Sequence, residues 1–273
     1  MTDARERVAL FGGVYANLDA LTAVLDDIGA RGIPRGWCLG DVGGFGPDPE
    51  ECAAQLRECR VPTVQGNYDH SIGHRLADCD CGYTDADDRR FAQASYEFTD
   101  AQVSEASREW LRALPAELRF TFAGRRVLLC HGSPRRQNEF LWDSGCSDAF
   151  LERLCDRAET DVLACSHTGL HWHRALPSGR HVVNAGAIGR PAHDGRPGAW
   201  YAELCAEPGA FDATFHHVAY DPEPLAQRMR AAELPAEFIE TVCTGWWTTC
   251  FGNMPVRERL RADDARRTPN AVR

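Results

Sequence analysis

The chain has 273 residues, of which 44% are hydrophobic and 26% are charged, as in a globular protein rather than a disordered or fibrous one. Its formal net charge of −10 argues against a duplex nucleic-acid partner, because phosphate backbones attract a basic surface. All 30 basic residues are arginine, which excludes chemistry that needs a lysine. No apolar run approaches the roughly 20 residues that cross a bilayer, and the N-terminus lacks a signal-peptide layout. We therefore expect a cytoplasmic protein without a membrane partner.

Short apolar runs alternate along the chain with stretches of helical periodicity, and most of these runs end at a glycine or a polar residue. Strands are predicted at residues 7–11, 36–39, 62–64, 125–130, 161–165 and 181–184. Helices are predicted at 17–28, with Asn17 as the N-cap, and at 49–59, with a proline in the first turn. This alternation indicates an α/β sandwich.

The remaining segments are predicted as additions to the sandwich rather than as separate domains. The acidic stretch 70–100 lacks a strong period and is interpreted as part of an inserted cap, residues 70–120. Residues 1–220 are expected to form the main unit. Residues 221–273 are expected to pack on it as a helical extension, with a charged and frayed tail from residue 257 onward.

Twelve cysteines are many for a chain of this length, and in a cytoplasmic protein most should be reduced. No CxxC pair is present, and the closest spacing is Cys79-Asp80-Cys81. We interpret the cysteines as small buried hydrophobic residues and this pair as an exposed turn. A structural cysteine cluster is the alternative.

Four polar residues with ligand atoms come just after predicted strands: Asp41, Asn67, His131 and His167. Loops at the carboxyl ends of strands meet in one crevice of an α/β fold, so these side chains can converge. Two imidazoles, one carboxylate and one amide oxygen suit a divalent first-row cation such as Mn, Fe, Co, Ni or Zn. The alternative is that each residue only forms a turn or satisfies a local hydrogen bond.

The segments around these four residues resemble the successive motifs of the calcineurin-like metallophosphoesterases, most closely their compact bacterial and archaeal branch. They are Gly40-Asp41-Val42, Gly66-Asn67-Tyr68-Asp69, His131-Gly132-Ser133-Pro134-Arg135 and Ser166-His167-Thr168, with connecting stretches 45–49 and 183–189. The resemblance covers about residues 8–221. It implies an α/β fold, the four-layer αββα sandwich of two mixed sheets, with a metal site across the loops at one edge.

The resemblance also implies two metals, and the chain departs from the pattern at one of them. The family's first motif is Asp-x-His-Gly-Asn, where this chain has Gly13 and Tyr15 in place of the Asp and the His. The second His of the family's Gly-His-x-His motif is Gly169. These three groups serve the same metal in the family, whereas all four ligands of the other metal are present. We therefore predict one retained metal per chain, or two with an unusual second site, and an open space where the two glycines stand.

Several residues are candidates for catalysis by the same resemblance. Tyr68 replaces a histidine that assists the leaving group in many members, and Asp69 is expected to orient its hydroxyl. Asn17, the last residue of the first motif, and Tyr15 are further catalytic candidates. Tyr15 can fill space, donate a hydrogen bond to the substrate or ligate a cation as phenolate, and plain packing is its alternative. For substrate binding the candidates are Arg135 and Arg136, since arginine forks hold phosphoryl groups.

The sequence thus predicts a metal-dependent phosphoester hydrolase that acts on a small phosphomonoester or phosphodiester. Two alternatives stay open: a non-catalytic descendant that binds a phosphorylated ligand or a protein, and a single-metal enzyme with other chemistry. A small phosphorylated substrate is the expected partner, and homo-oligomer formation is left open.

Overall fold

The computed structural model of the protein describes residues 6–207 and 209–267, and two β-sheets lie face to face in it. The strands of this part of the chain are β1 (Glu6–Phe11), β2 (Gly36–Cys38), β3 (Glu117–Phe122), β4 (Arg125–Cys130), β5 (Val162–Cys165), β6 (His171–Ala175), β7 (His181–Ala185), β8 (Ala199–Glu207) and β9 (Ala210–Val218). The first sheet has the order β2-β1-β8-β9, and the second has the order β3-β4-β5-β7-β6.

Both sheets are mixed. In the first, β1 pairs parallel with β2 and antiparallel with β8. In the second, β4, β5 and β7 run parallel, while β3 and β6 are antiparallel edge strands. Because β4 is buried on both faces, its side chains alternate between two cores. Val127 and Leu129 join the core between the sheets, whereas Leu128 and Cys130 join the core beneath a helix.

Helices cover the outer faces of the two sheets. They are α1 (Leu18–Ala30), α2 (Pro49–Glu58), α3 (Asn67–His74), α4 (Ala86–Gln102), α5 (Glu105–Ala113), α6 (Asp148–Arg157), α7 (Glu223–Ala231), α8 (Ala236–Thr244) and α9 (Val256–Arg267). Helix α1 packs through Leu21 and Val24 on the first sheet, and α6 packs through Leu151 and Leu154 on the second. The predicted αββα sandwich of two mixed sheets is confirmed.

Several predicted elements agree closely with the structure. Strand β4 has the predicted bounds, and Asn17 caps α1 by accepting a hydrogen bond from the backbone N–H of Ala20 at 3.0 Å. The prediction for residues 62–64 is wrong in extent, because only an isolated bridge between Thr63 and Cys38 forms there. Strands β3, β6, β8 and β9 were not predicted.

The two segments expected to be additions are helical and packed. The stretch 70–100 contains most of α3 and α4, and α4 buries Phe91 and Tyr96. The expected frayed tail is wrong as far as residue 267, because α9 occupies 256–267; the rest of that prediction lies outside the described residues. In the part of the chain that the structure describes, no helix is both long and apolar enough to span a bilayer.

Candidate metal centre

The structure brings the four predicted ligands together at the carboxyl-end edge of the two sheets. Ligand atoms of Asp41, His131 and His167 all lie within 4.8 Å of one another, and these three side chains are buried. Asn67 is buried beside them at the start of α3, and its backbone neighbour Tyr68 donates to the Asp41 carboxylate at 3.1 Å. We call Asp41, Asn67, His131 and His167 the donor cluster.

The surroundings of the two histidines of the donor cluster act on them in opposite directions when no cation is bound. The Nδ1 of His131 donates to the carbonyl oxygen of Leu39 at 2.6 Å, so Nε2 is the ring nitrogen that faces the Asp41 carboxylate, at 3.2 Å, and that would ligate a cation. Burial lowers the pKa of His167 to about 3, and the neighbouring His131 adds to this effect. Burial also lowers the pKa of His131, but the Asp41 carboxylate outweighs burial and the net shift is upward. A neutral imidazole at His167 is the form that binds a cation.

Asn67 shows most directly that the donor cluster fits a cation. Its amide N–H donates to the carbonyl oxygen of Cys79 at 2.8 Å, which leaves the amide oxygen Oδ1 as the free end. That oxygen is buried and has no hydrogen-bond partner among the described residues. A buried acceptor without a partner costs about 1–3 kcal/mol, and ligation of a cation would remove this cost. With a carboxylate and two imidazoles, the donor set suits a first-row divalent ion.

Three residues at this place have a left-handed backbone conformation. Tyr15, Asp41 and His167 have φ values of 52°, 56° and 62°, in the left-handed region that non-glycine residues rarely adopt. Such conformations cost of the order of 1–3 kcal/mol each and persist where the surrounding structure fixes them, most often at functional sites.

Asp69 does not contact the hydroxyl of Tyr68, so the expectation that it orients this group is wrong. Its buried carboxylate accepts hydrogen bonds at 2.8 Å from the backbone N–H groups of Asp41, Val42 and Gly66. Burial, followed by the nearby Asp41 carboxylate, raises the pKa of Asp69 to about 6. Asp69 therefore fixes the loops that carry Asp41 and Asn67.

The two tyrosines lie in a small cavity next to the donor cluster. The Tyr68 hydroxyl is tied to α4, 3.0 Å from Ser95 Oγ and 3.2 Å from the carbonyl oxygen of Ala92. Burial raises the pKa of Tyr68, and burial together with the Asp41 charge raises that of Tyr15. Both phenols are thus neutral at pH 7 when no cation is bound.

Three other predicted site residues are not brought to this cavity. The amide of Asn17 is used structurally, since its Nδ2 donates to the carbonyl oxygen of Gly189 at 3.1 Å and to the Tyr220 hydroxyl at 2.9 Å. Arg135 and Arg136 are exposed, and Arg135 pairs with Glu139 four residues on. Neither arginine lines the cavity next to the donor cluster, and their role in substrate binding stays a prediction.

The predicted open space at Gly13 and Gly169, where the family has ligands of the second metal, is not present. Other side chains fill it. A Cβ atom at Gly13 would lie 3.1 Å from the ring of Tyr15, and one at Gly169 would lie 3.1 Å from the ring of Trp247. Trp247 is buried and donates its indole N–H to the carbonyl oxygen of Pro191 at 2.6 Å. Two aromatic rings therefore occupy the positions where ligand side chains would project.

The CxC pair is also placed differently from the prediction. Cys79 and Cys81 are buried and joined by a disulfide, and both lie next to Asn67, whose amide N–H is 3.6 Å from the Cys81 sulfur. The expectation of an exposed turn is wrong at this position. The other ten cysteines, all within the described residues, form no disulfide, and Cys38, Cys130 and Cys165 are buried packing residues, as expected.

The comparisons with known proteins agree with this geometry. The family model of the calcineurin-like phosphoesterase superfamily domain matches residues 7–207. The chain belongs to this family. A metallophosphoesterase of Sphaerobacter thermophilus is 28% identical, with a TM-score of 0.69 over 89% of this chain and 100% of that one. Family membership and this neighbour support a phosphoesterase hydrolase.

Two archaeal proteins are similar over nearly their whole lengths. A hypothetical protein of Pyrococcus horikoshii has a TM-score of 0.73 at 24% identity, with 89% of this chain and 99% of that chain covered, and shows the same fold. An uncharacterized protein of Methanocaldococcus jannaschii is 24% identical over a 258-position alignment that covers 88% of this chain and 99% of the relative.

One charged residue of the cavity escaped the sequence analysis. Arg190 lines the same cavity as Tyr15, Asp41 and His167, and its side chain lies over the ring of Trp247. Its position directly after the 183–189 stretch that resembles the family was the only sequence signal for it. Trp247 gave no such signal, because it comes from the C-terminal extension.

Proposed function

We propose that this protein hydrolyses a small phosphomonoester or phosphodiester with one divalent first-row cation held by the donor cluster. The observation that carries the proposal is the buried convergence of Asp41, His131 and His167 within 4.8 Å, beside an Asn67 oxygen that has no partner among the described residues. Family membership supports the reaction class.

When bound, the cation would supply positive charge for a phosphoryl oxygen and acidify a water molecule. The chain's own residues set up this site. His131 is oriented by Leu39, and Asn67 is oriented by the carbonyl of Cys79. Burial keeps both tyrosines of the cavity protonated when no cation is bound, and a protonated phenol can donate a hydrogen bond to a substrate oxygen.

The proposal is tested by metal content and hydrolysis measured on the same preparations. Wild-type protein loaded with Mn, Fe, Co, Ni or Zn should hold one equivalent and hydrolyse an aryl phosphate or its diester. His131→Ala should lose both properties, because it removes one of two imidazole ligands.

The matched control is His173→Ala, which removes a half-buried histidine of β6 outside the donor cluster. This variant should keep the metal and the activity. Hydrolysis that persists in metal-free protein, or in His131→Ala, would contradict the proposal.

A further inference from the structure

Arg190 is a buried cation that has no acidic partner among the described residues. It is 5% exposed, and one terminal nitrogen donates to the carbonyl oxygen of Thr249 at 2.9 Å. Within the same part of the chain, its buried Nε has no hydrogen-bond partner, and no carboxylate lies within 4.0 Å of its guanidinium. Arg108, which is also buried, has Asp100 at 2.5 Å. A guanidinium in this state is expected to have an anionic ligand.

Close packing on two sides fixes the position of Arg190. The backbone N–H of Gly189 donates to the carbonyl oxygen of Gly13 at 2.9 Å, and a Cβ at Gly189 would come within 2.1 Å of the carbonyl oxygen of Val14. The loop before Arg190 is therefore pressed against the loop that carries Tyr15. On the other side, the guanidinium carbon lies 3.7 Å from the centre of the Trp247 ring.

The cavity in front of Arg190 also reaches the donor cluster. It is lined by Tyr15, Asp41, Asn67, His167 and Arg190, among others, and its volume is about 40 Å³. This corresponds to roughly three water molecules and so to one phosphoryl-sized group. Aromatic walls reduce the local dielectric, which strengthens a charge-assisted hydrogen bond to an oxyanion.

We infer that Arg190 binds the phosphoryl oxygens of the substrate and provides the positive charge that a second metal provides elsewhere in the family. The inference rests on the proposed function for its substrate. The missing ligand positions are filled by Tyr15 and Trp247, and Trp247 is the ring that supports the guanidinium. Trp247 thus fills the position of a missing metal ligand and also supports Arg190, whose charge takes the place of the second metal. Arg190 is thus a further substrate-binding candidate beside Arg135 and Arg136, which the sequence predicts.

The test measures binding of inorganic phosphate to the metal-loaded full-length protein by calorimetry, with metal content determined in parallel. Arg190→Gln should weaken phosphate binding by about 10- to 100-fold, because one charge-assisted interaction is lost, and should leave the metal content unchanged. Arg230→Gln, the matched control, should stay within about twofold of the wild type, since that side chain is exposed on α7 and pairs with Glu223.

The outcomes separate this inference from the hydrolase proposal. Phosphate binding that depends on Arg190 without any hydrolysis would support the inference and contradict the hydrolase. Unchanged phosphate affinity in Arg190→Gln, or no phosphate binding by the wild type, would overturn the inference whatever the activity.

If Arg190→Gln does not fold, a crystal of the wild-type protein soaked with manganese and phosphate decides the question. A phosphate oxygen at about 3 Å from Arg190 Nε is expected. A phosphate bound away from Arg190 would contradict the inference.

Discussion

The donor cluster depends on Gly66, because no larger residue fits between the loops of Asp41 and Asn67. A Cβ atom at Gly66 would lie 2.2 Å from the carboxylate oxygen Oδ1 of Asp41 and 2.3 Å from its backbone nitrogen. The φ of Gly66 is −84°, which any residue can adopt, so the need for glycine here is steric rather than conformational. The distance between the Asp41 and Asn67 loops is therefore set by the absence of one methyl group.

Gly66→Ala should consequently damage the metal centre. We expect the free energy of unfolding to fall by about 2 kcal/mol from overpacking, and metal affinity to fall at least about 10-fold as Asp41 is displaced. Urea unfolding and metal titration measure the two effects. The control is Gly29→Ala in α1, where the added methyl meets nothing within 4 Å and should be neutral or stabilising. Unchanged metal affinity in Gly66→Ala would show that the cluster does not require this close approach.

At the scale of elements, prediction from sequence succeeded where one local pattern decides the structure. Strand β4 contains the apolar run 127–130 behind two arginines, and α1 has apolar residues at helical spacing behind a polar cap, so both can be predicted nearly to their ends. Strands β8 and β9 were missed. They are nine-residue strands that pair with each other, and β8 also pairs with β1. Strand β8 contains polar residues such as Glu203, which pairs with Arg7 of β1 and His216 of β9.

The sequence likewise predicts one part of the site, the donor cluster, and does not predict how the cavity beside it is built. The donor cluster could be found because its residues follow strands within motifs. Arg190, Tyr15 and Trp247 could not be assigned their places, because which ring fills which space depends on contacts between distant segments. Arg135 was preferred because it adjoins a ligand in sequence, but Glu139 on the same loop holds it at the surface.

The C-terminal extension forms part of the cavity wall and carries a pH-sensitive contact with it. His193 accepts a hydrogen bond at Nδ1 from the backbone N–H of Trp247 at 2.7 Å and lies among the rings of Trp246 and Phe251. Burial lowers the pKa of His193 to about 3, and the charges of Arg190 and Arg266 act in the same direction. The folded state therefore favours the neutral imidazole.

A histidine whose folded-state pKa is lowered stabilises the fold fully above its unfolded pKa of about 6.5 and loses this contribution as pH falls toward 3. Between pH 7 and pH 5, His193 should account for a loss of about 2 kcal/mol in the free energy of unfolding. His193→Gln should flatten the pH dependence by this amount, as measured by urea unfolding at the two pH values. His74→Gln, which changes an exposed histidine of α3, should leave it as in the wild type. Equal slopes for all three proteins would rule out the role of His193.

At the scale of the whole molecule, the donor cluster joins the two sheets. Asp41 follows β2 of the first sheet, whereas His131 and His167 follow β4 and β5 of the second. The sheets are otherwise held together by the apolar core between them, which includes Leu10 and Leu129. A cation at the cluster would therefore link the loops of both halves of the sandwich.

Metal should for this reason stabilise the complete fold and not only its loops. A ligand that binds the folded state alone adds about 2.7 kcal/mol to the free energy of unfolding at 100 times its dissociation constant. We expect the thermal midpoint of the chelator-treated protein to rise with added Mn or Zn in a single transition, and a chelator to reverse the rise. Asp41→Asn should reduce this response strongly, because it removes the only charged ligand of the cluster. Asp87→Asn, at an exposed carboxylate of α4, is the matched control and should respond as the wild type. A midpoint that metal leaves unchanged, or raises equally in Asp41→Asn, would show that the four side chains meet for a reason other than holding a cation.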